Sequence, residues 1–173
     1  MIVVVNKNII SKLKELSKLS KKVREELGGV ITASVQSTIK STTIKFKEII
    51  VVENIKCEKE YVYKPNEQQL QHILKNKGNL DISLVHTHLE DIPPSIFDIN
   101  TYYTFSLRYN TISPHVLITP NYIYLYSLYP FHVAINNTVY SSSITSEYNS
   151  TGLAEFEDEL LHPYIVKIPL SII

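Results

Sequence analysis

Residues 85 to 98, VHTHLEDIPPSIFD, hold two histidines two positions apart and an aspartate ten positions after the second. On a strand, side chains two apart point to the same face, so His86 and His88 can offer both imidazoles to one ion. Asp98 can return a carboxylate from the helix that follows. Two nitrogens and one oxygen leave the fourth tetrahedral position for water, the arrangement that separates catalytic from structural zinc sites. Bound zinc lowers the pKa of that water towards ~7 and supplies hydroxide at neutral pH. Each part also has a plain alternative. A lone His-x-His is more often surface or core histidine, and Ser95-x-x-Asp98 is a capping-box pattern open to any helix start. Glu26 can be a solvated carboxylate near the end of a Lys-rich helix, although the helix dipole disfavours a carboxylate there.

The surrounding elements must bring these side chains together. Ile2 to Val5 reads as a strand, and Ile9, Leu13, Leu16, Leu19 and Val23 then recur at helical spacing until Gly28 and Gly29 stop the helix. Strands are predicted over Val30 to Ile39 and Thr42 to Val52, paired as a hairpin. From Pro65-Asn66 the pattern turns helical, with Leu70, Ile73 and Leu74 on one face and a stop at Lys77-Gly78-Asn79. Leu80 to His88 returns to strand alternation. Ser95 is placed at a helix N-cap, with Ile96, Ile99 and Tyr103 behind it and Asp98 in the first turn. His115 to Thr119 and Tyr122 to Tyr129 form a hairpin about Pro120-Asn121, its tyrosines shared between core and sheet edge. Phe131 to Tyr140 extends this meander through Asn136-Asn137. A polar loop over Ser141 to Thr151, a short acidic helix over Leu153 to Leu161 and a strand over Tyr164 to Leu170 complete the chain. The expected class is α/β (α+β), a mixed, partly antiparallel curved sheet flanked by helices.

In this order the residues resemble the JAMM signature of the MPN-domain (JAB-like) metallopeptidases: an upstream Glu, then His-x-His, a spacer and Ser-x-x-Asp. Glu26-Leu27-Gly28-Gly29-Val30-Ile31-Thr32-Ala33 looks like the family's Glu-x-x-Gly-x-Leu-x-Gly. The agreement covers roughly residues 1 to 128, leaving 129 to 173 as C-terminal strands, loop and short helix. Leu89 stands where the family usually has Pro, and the spacer before Ser95 is one residue shorter than the commonest form. The resemblance implies an MPN/JAB-like fold and one catalytic zinc on His86, His88 and Asp98. It makes Glu26 the general base and then the acid, and Ser95 the partner of the oxyanion. The implied reaction is hydrolysis of an amide or isopeptide bond. The implied partner is a protein or peptide, such as the C-terminal tail of a ubiquitin-like protein bound extended along a sheet edge. MPN domains that serve as scaffolds or binding modules typically lack a ligand, whereas this chain retains all five residues.

Other classes fit less well. His86-Thr87-His88-Leu89-Glu90-Asp91 departs from the His-x-His-x-Asp-His of metallo-β-lactamase-type enzymes at Glu90 and Asp91, and His115, His132 and His162 have no matching context. The single cysteine, Cys57, excludes a zinc deaminase, a Cys-based metal site and an internal disulfide. A related domain acting on nucleic acid requires a basic surface at the site, against which Glu90 and Asp91 argue. With 173 residues, 44% of them hydrophobic, and 17 basic against 17 acidic side chains, one ordinary globular domain is expected. Residues 1 to 60 hold 12 of the basic and 7 of the acidic side chains, which reads as a solvated helix face, with a basic face that meets an acidic partner as the alternative. No run reaches the ~18 apolar residues of a membrane span, and MIVVVNKN is too short for a signal peptide. The expectation is a cytoplasmic protein with no membrane or nucleic-acid partner. In that setting the sequons at Asn136 and Asn149 carry no meaning, and homodimerisation is left open.

Overall fold

The computed structural model describes residues 1–56, 63–144 and 163–173. Its N-terminal strand β1 (Ile2–Val4) leads into helix α1 (Lys7–Val23), where the Asn6 side chain caps the amide of Ile9. Lys21 and Lys22 sit in the last turn, favourably placed for the helix dipole. The helix ends at Arg24, which takes the left-handed conformation at φ 58° and donates its N–H to Ser20 O. Contrary to the expectation from the sequence, Gly28 and Gly29 therefore do not stop the helix. They open strand β2 (Gly28–Ser37). A Cβ on Gly28 would meet the carbonyl of Val85 and the ring of Tyr63, and one on Gly29 would meet the backbone at Ile50. Close strand approach is what demands glycine here.

The apolar stripe of α1 is also displaced from the expected one. Ile9, Ile10, Leu13, Leu16, Ser17 and Ser20 are buried, whereas Leu19 and Val23 are about half exposed. Serines thus face the sheet along the C-terminal half of the helix.

Strand β2 pairs antiparallel with β3 (Thr42–Val52), with a register shift between Thr32 and Ala33, and on its other side with β4 (Asp81–Thr87). Between β3 and β4 lies α2 (Glu67–Asn76), capped by Asn66. After β4, α3 (Ile96–Tyr109) crosses over to β5 (His115–Ile118), parallel to β4. A hairpin then joins β5 to β6 (Tyr122–Ser127). Next come β7 (His132–Ile135) and β8 (Thr138–Ser141), turned by Asn136 and Asn137, both at positive φ. Strands β9 (Ser143–Ile144) and β10 (Tyr164–Pro169) precede a terminal 3-10 turn.

Among the described residues the ten strands form one mixed sheet in the order β8-β7-β1-β3-β2-β4-β5-β6-β10-β9. Strand β8 comes back against β10, so the sheet curls almost closed. The α+β expectation of a curved, partly antiparallel sheet flanked by helices agrees with this arrangement. Three details differ. The β7–β8 hairpin does not continue the β5–β6 meander, because β7 runs parallel to β1 on the far side of the sheet. Strand β6 is interior, between β5 and β10, so its tyrosines are not at an edge. Ser143 and Ile144, expected in a loop, pair with β10. Cys57, His162, the acidic helix expected over Leu153 to Leu161 and residues 145 to 151 of the polar loop lie outside the described residues. No described helix is long and apolar enough to cross a membrane.

Alternation decides what each face buries. Ile123 and Leu125 of β6 join Ile9, Leu13 and Leu16 of α1 in the larger core, whereas Tyr124 and Tyr126 face Ile99 and Tyr102 of α3. Within that tyrosine layer His115 is 1% exposed, with ring centroids of Tyr102, Phe105 and Tyr126 at 4.5, 5.4 and 5.8 Å. Its Nε2 has no hydrogen-bond partner, and burial holds its pKa well below the ordinary histidine value. The unfolded chain takes up this proton below about pH 6.5 and the folded chain does not, so the residue withdraws stability as pH falls through that value. His115→Phe is expected to stabilise the protein by about 1–3 kcal/mol, most at pH 5, in denaturant melts compared at pH 5 and pH 8.

Candidate metal centre

The β2–β4 register builds the site. Gly28 lies opposite His86, so in an antiparallel ladder Glu26 falls opposite His88. Leu27 and Thr87 lock this corner: Thr87 N–H donates to Leu27 O at 2.8 Å, and Leu27 N–H donates to Thr87 Oγ1 at 2.9 Å. Thr87 Oγ1 in turn donates to Ser20 Oγ, which donates to Glu25 O, and Asn54 Nδ2 donates to Glu26 O at 2.9 Å. The buried serine of α1 thus pins the segment that carries Glu26. With no side chain on Gly28, the Tyr63 ring fits there and stacks on His86, its plane 6° from parallel.

His86 and His88 behave as alternation predicts, although His88 lies one residue past the end of β4. Its amide still donates to Ile118 O, which keeps it in the ladder. The two Nε2 atoms are 3.3 Å apart. His86 Nε2 is 3.1 Å from Asp98 Oδ1, and His88 Nε2 is 3.6 Å from Asp98 Oδ2. A tetrahedral ion with bonds of 2.0–2.1 Å has ligand–ligand edges of about 3.3–3.4 Å, and one donor atom from each of His86, His88 and Asp98 lies within 4.8 Å of the other two, a grouping that could hold a metal ion. His88 Nδ1 lies 3.0 Å from Ile92 O. A carbonyl only accepts, so Nδ1 carries the hydrogen and the lone pair sits on Nε2, the orientation that outer partners impose on ligating histidines.

Asp98 is prepared in the same way. Oδ2 receives the Ser95 N–H at 2.6 Å and the Ser95 hydroxyl at 2.7 Å, while Asp98 N–H donates to Ser95 Oγ, completing a capping box. Oδ1 is left towards His86. Both N-cap expectations therefore agree with the structure, and the Ser95 hydroxyl points at the Asp98 carboxylate.

Glu26 is 5% exposed, and its Oε1 is 3.9 Å from His88 Nε2. Burial pushes its pKa up to about 7, against the nearby His86 charge and a hydrogen bond from the Tyr63 backbone, with Asp98 adding to the rise. Burial alone would raise the Asp98 pKa too. The His86 charge and hydrogen bond, the Ser95 hydrogen bond and the His88 charge instead hold it well below the carboxylate range. The His86 pKa rises because Asp98 and Glu26 outweigh its burial, and that of His88 falls through burial and the His86 charge. The donor set suits a divalent cation but does not by itself choose zinc.

Sequence reasoning missed four contributors: Ser20, Asn54, Tyr63 and Asp91. Of these only Asp91 lies inside the motif segment, where the sequence shows it as acidity beside the ligands. Its carboxylate instead accepts from Thr119 Oγ1, Asn121 N–H and Asn121 Nδ2, tying the 88–94 loop to the β5–β6 turn. Burial would raise its pKa, but these bonds and the Lys21 charge bring it down. The loop so tied presents Ile92 O to His88. Asp91→Ala is expected to weaken metal binding about tenfold in competition with a chromogenic chelator, with the helices intact by circular dichroism. His115 and His132 lie outside the site. The former is in the tyrosine layer, and the latter is exposed and bonded to Ser141.

A cleft of about 930 Å³ opens over Glu26, His88, Ser95 and Asp98. Glu90 and Asp91 argue against a basic surface at the site, yet the cleft carries Lys21, Arg24, Lys56 and Lys64 beside Glu90. No protein-family model matches the chain, and no curated protein matches it significantly.

Proposed function

We propose that this chain is a mononuclear zinc hydrolase of amide or isopeptide bonds, of the JAMM/MPN type, acting on a protein or peptide. The observation that carries the reading is the convergence of Glu26, His86, His88 and Asp98 from three separate segments, with Glu26, His88 and Asp98 lining one cleft and His86 buried against Asp98. His86, His88 and Asp98 would hold the ion. When bound, zinc supplies Lewis acidity, acidifying a water and polarising a carbonyl.

The chain's own residues supply the rest. Glu26, beside His88 and with a pKa near neutrality, takes a proton from the attacking water and passes it to the leaving amine. Ser95 serves first as a positioning residue, because its N–H and hydroxyl fix the Asp98 carboxylate. Its hydroxyl becomes an oxyanion donor only by rotating off Asp98, and such a donor is worth about 3 kcal/mol in the transition state. The ubiquitin-like tail implied by the family resemblance is one substrate of this type, and the cytoplasm is the setting we propose.

The test is turnover by the zinc-loaded protein of a ubiquitin-like fusion and a panel of quenched peptides. Full rate in Glu26→Gln with zinc still bound would sink the mechanism. Retained zinc with no turnover of any substrate would point to a scaffold of the same fold.

A further inference from the structure

We infer that the cleft is built to take an acidic polypeptide segment, with aspartate or glutamate side chains flanking the bond presented to the metal centre. As the substrate class of the hydrolase proposed above, the inference rests on that reading. Four cations line the cleft: Lys21 and Arg24 from the end of α1, and Lys56 and Lys64 from the β3–α2 connection. None of the four makes an ion pair with a described residue. Among the described residues the acids opposing them are few. Asp91 already accepts three hydrogen bonds, Asp98 and Glu26 turn inward to the histidines, and Glu90 is the one described acid left on the rim. A divalent cation on the floor would add positive charge. A concave site whose rim carries an excess of one sign of charge concentrates ligands of the opposite sign and speeds their arrival.

The same cleft distinguishes a peptide from a nucleic acid. Leu89, Ile92 and Phe97 also line it, and Phe97 is 79% and Ile92 52% exposed, so apolar side chains have a wall to pack on. Tyr63, an aromatic ring in the cleft, is not free to stack on a base because it already lies on His86. The whole chain has a formal charge of zero and a pI near 7.0, without the basic excess of a nucleic-acid-binding domain. Cations beside exposed apolar groups suit a peptide that mixes carboxylates with hydrophobic side chains.

Short quenched peptides that differ only in whether Glu, Gln or Lys flanks the central bond provide the test, with the zinc-loaded full chain. The Glu peptide is expected to exceed the Lys peptide about 10- to 100-fold in kcat/KM at about 20 mM salt, mostly through KM. The preference should shrink to about threefold or less at about 500 mM salt. Lys21→Glu/Lys56→Glu/Lys64→Glu, checked for zinc content and melting temperature, should reverse it, and the milder Lys→Gln triple variant should abolish it. Equal or better turnover of the Lys peptide overturns the inference.

A binding arm separates this failure from that of the hydrolase reading. Zinc-loaded Glu26→Gln protein is titrated with labelled Glu peptide, Lys peptide and a single-stranded oligonucleotide. Tighter Glu-peptide binding that the triple variant loses sustains the inference even if no peptide is cut, an outcome that removes only the hydrolase. Tighter oligonucleotide binding, or no difference between the peptides, overturns it.

Discussion

Glu26→Gln is expected to lower peptide turnover about 10²- to 10⁴-fold with zinc content unchanged, and at the same time to make the metal-free protein more stable at pH 8. The first effect follows from losing the general base while keeping shape and ligands. The second follows from linkage. The Glu26 carboxyl has its pKa raised by burial from an ordinary 4.5 to about 7 in the folded chain. Between those values the unfolded chain has released its proton and the folded chain still holds it, so stability falls as pH rises across the interval. Above it the full penalty persists, on the order of 3 kcal/mol. Gln carries no such charge. The two proteins should therefore unfold at similar denaturant concentrations near pH 4.5 and diverge by pH 8, with the variant the more stable. Equal stability at pH 8 would mean that Glu26 is solvated, and unchanged turnover would remove it from catalysis.

Zinc is expected to raise the melting temperature of the chelator-treated wild type by about 5–10 °C, and Asp98→Asn should lose most of that shift. At one hundred times the dissociation constant a ligand adds about 2.7 kcal/mol. A domain of this size gains about 2–4 °C per kcal/mol. Asn preserves the volume of the side chain and an oxygen for the Ser95 N–H and hydroxyl, so the helix cap survives while the charged ligand does not. Asp98→Ala loses both, and the metal-free variant should fall by about a further 1 kcal/mol, the usual worth of a cap. A full zinc shift in Asp98→Asn would show that the ion sits elsewhere. Calorimetric melts of the three proteins, each with zinc and with chelator, make the comparison. Lys and Arg on the rim bear on neither result, which keeps these tests independent of the acidic-substrate inference.

Much of the site was legible because it is local. His86 and His88 share a face by strand periodicity, and Ser95 and Asp98 cap α3 by the chemistry of any helix start. The β3 limits, Thr42 to Val52, and the positive-φ turn at Asn136-Asn137 were readable for the same reason. Misreadings arose where long-range partners outweighed local signals. Gly28 and Gly29 look like a helix stop until Val85, Ile50 and Tyr63 are seen pressed against them. Leu19 and Val23 fit the helical stripe, yet the sheet meets α1 along a line that buries Ser17 and Ser20. Strand β7 follows β6 in sequence but finds β1, from the other end of the chain.

By itself the sequence determined the donor types, their order along the chain and the local conformations that aim them, since periodicity and capping act over a few residues. Only the tertiary structure decided that Glu26 stands beside His88, because that depends on the register of β2 against β4. It alone buried Glu26 enough to bring its pKa to about 7, and it alone gathered Lys21, Arg24, Lys56 and Lys64 on one rim. Burial and field are sums over neighbours distant in sequence, and no local pattern encodes them.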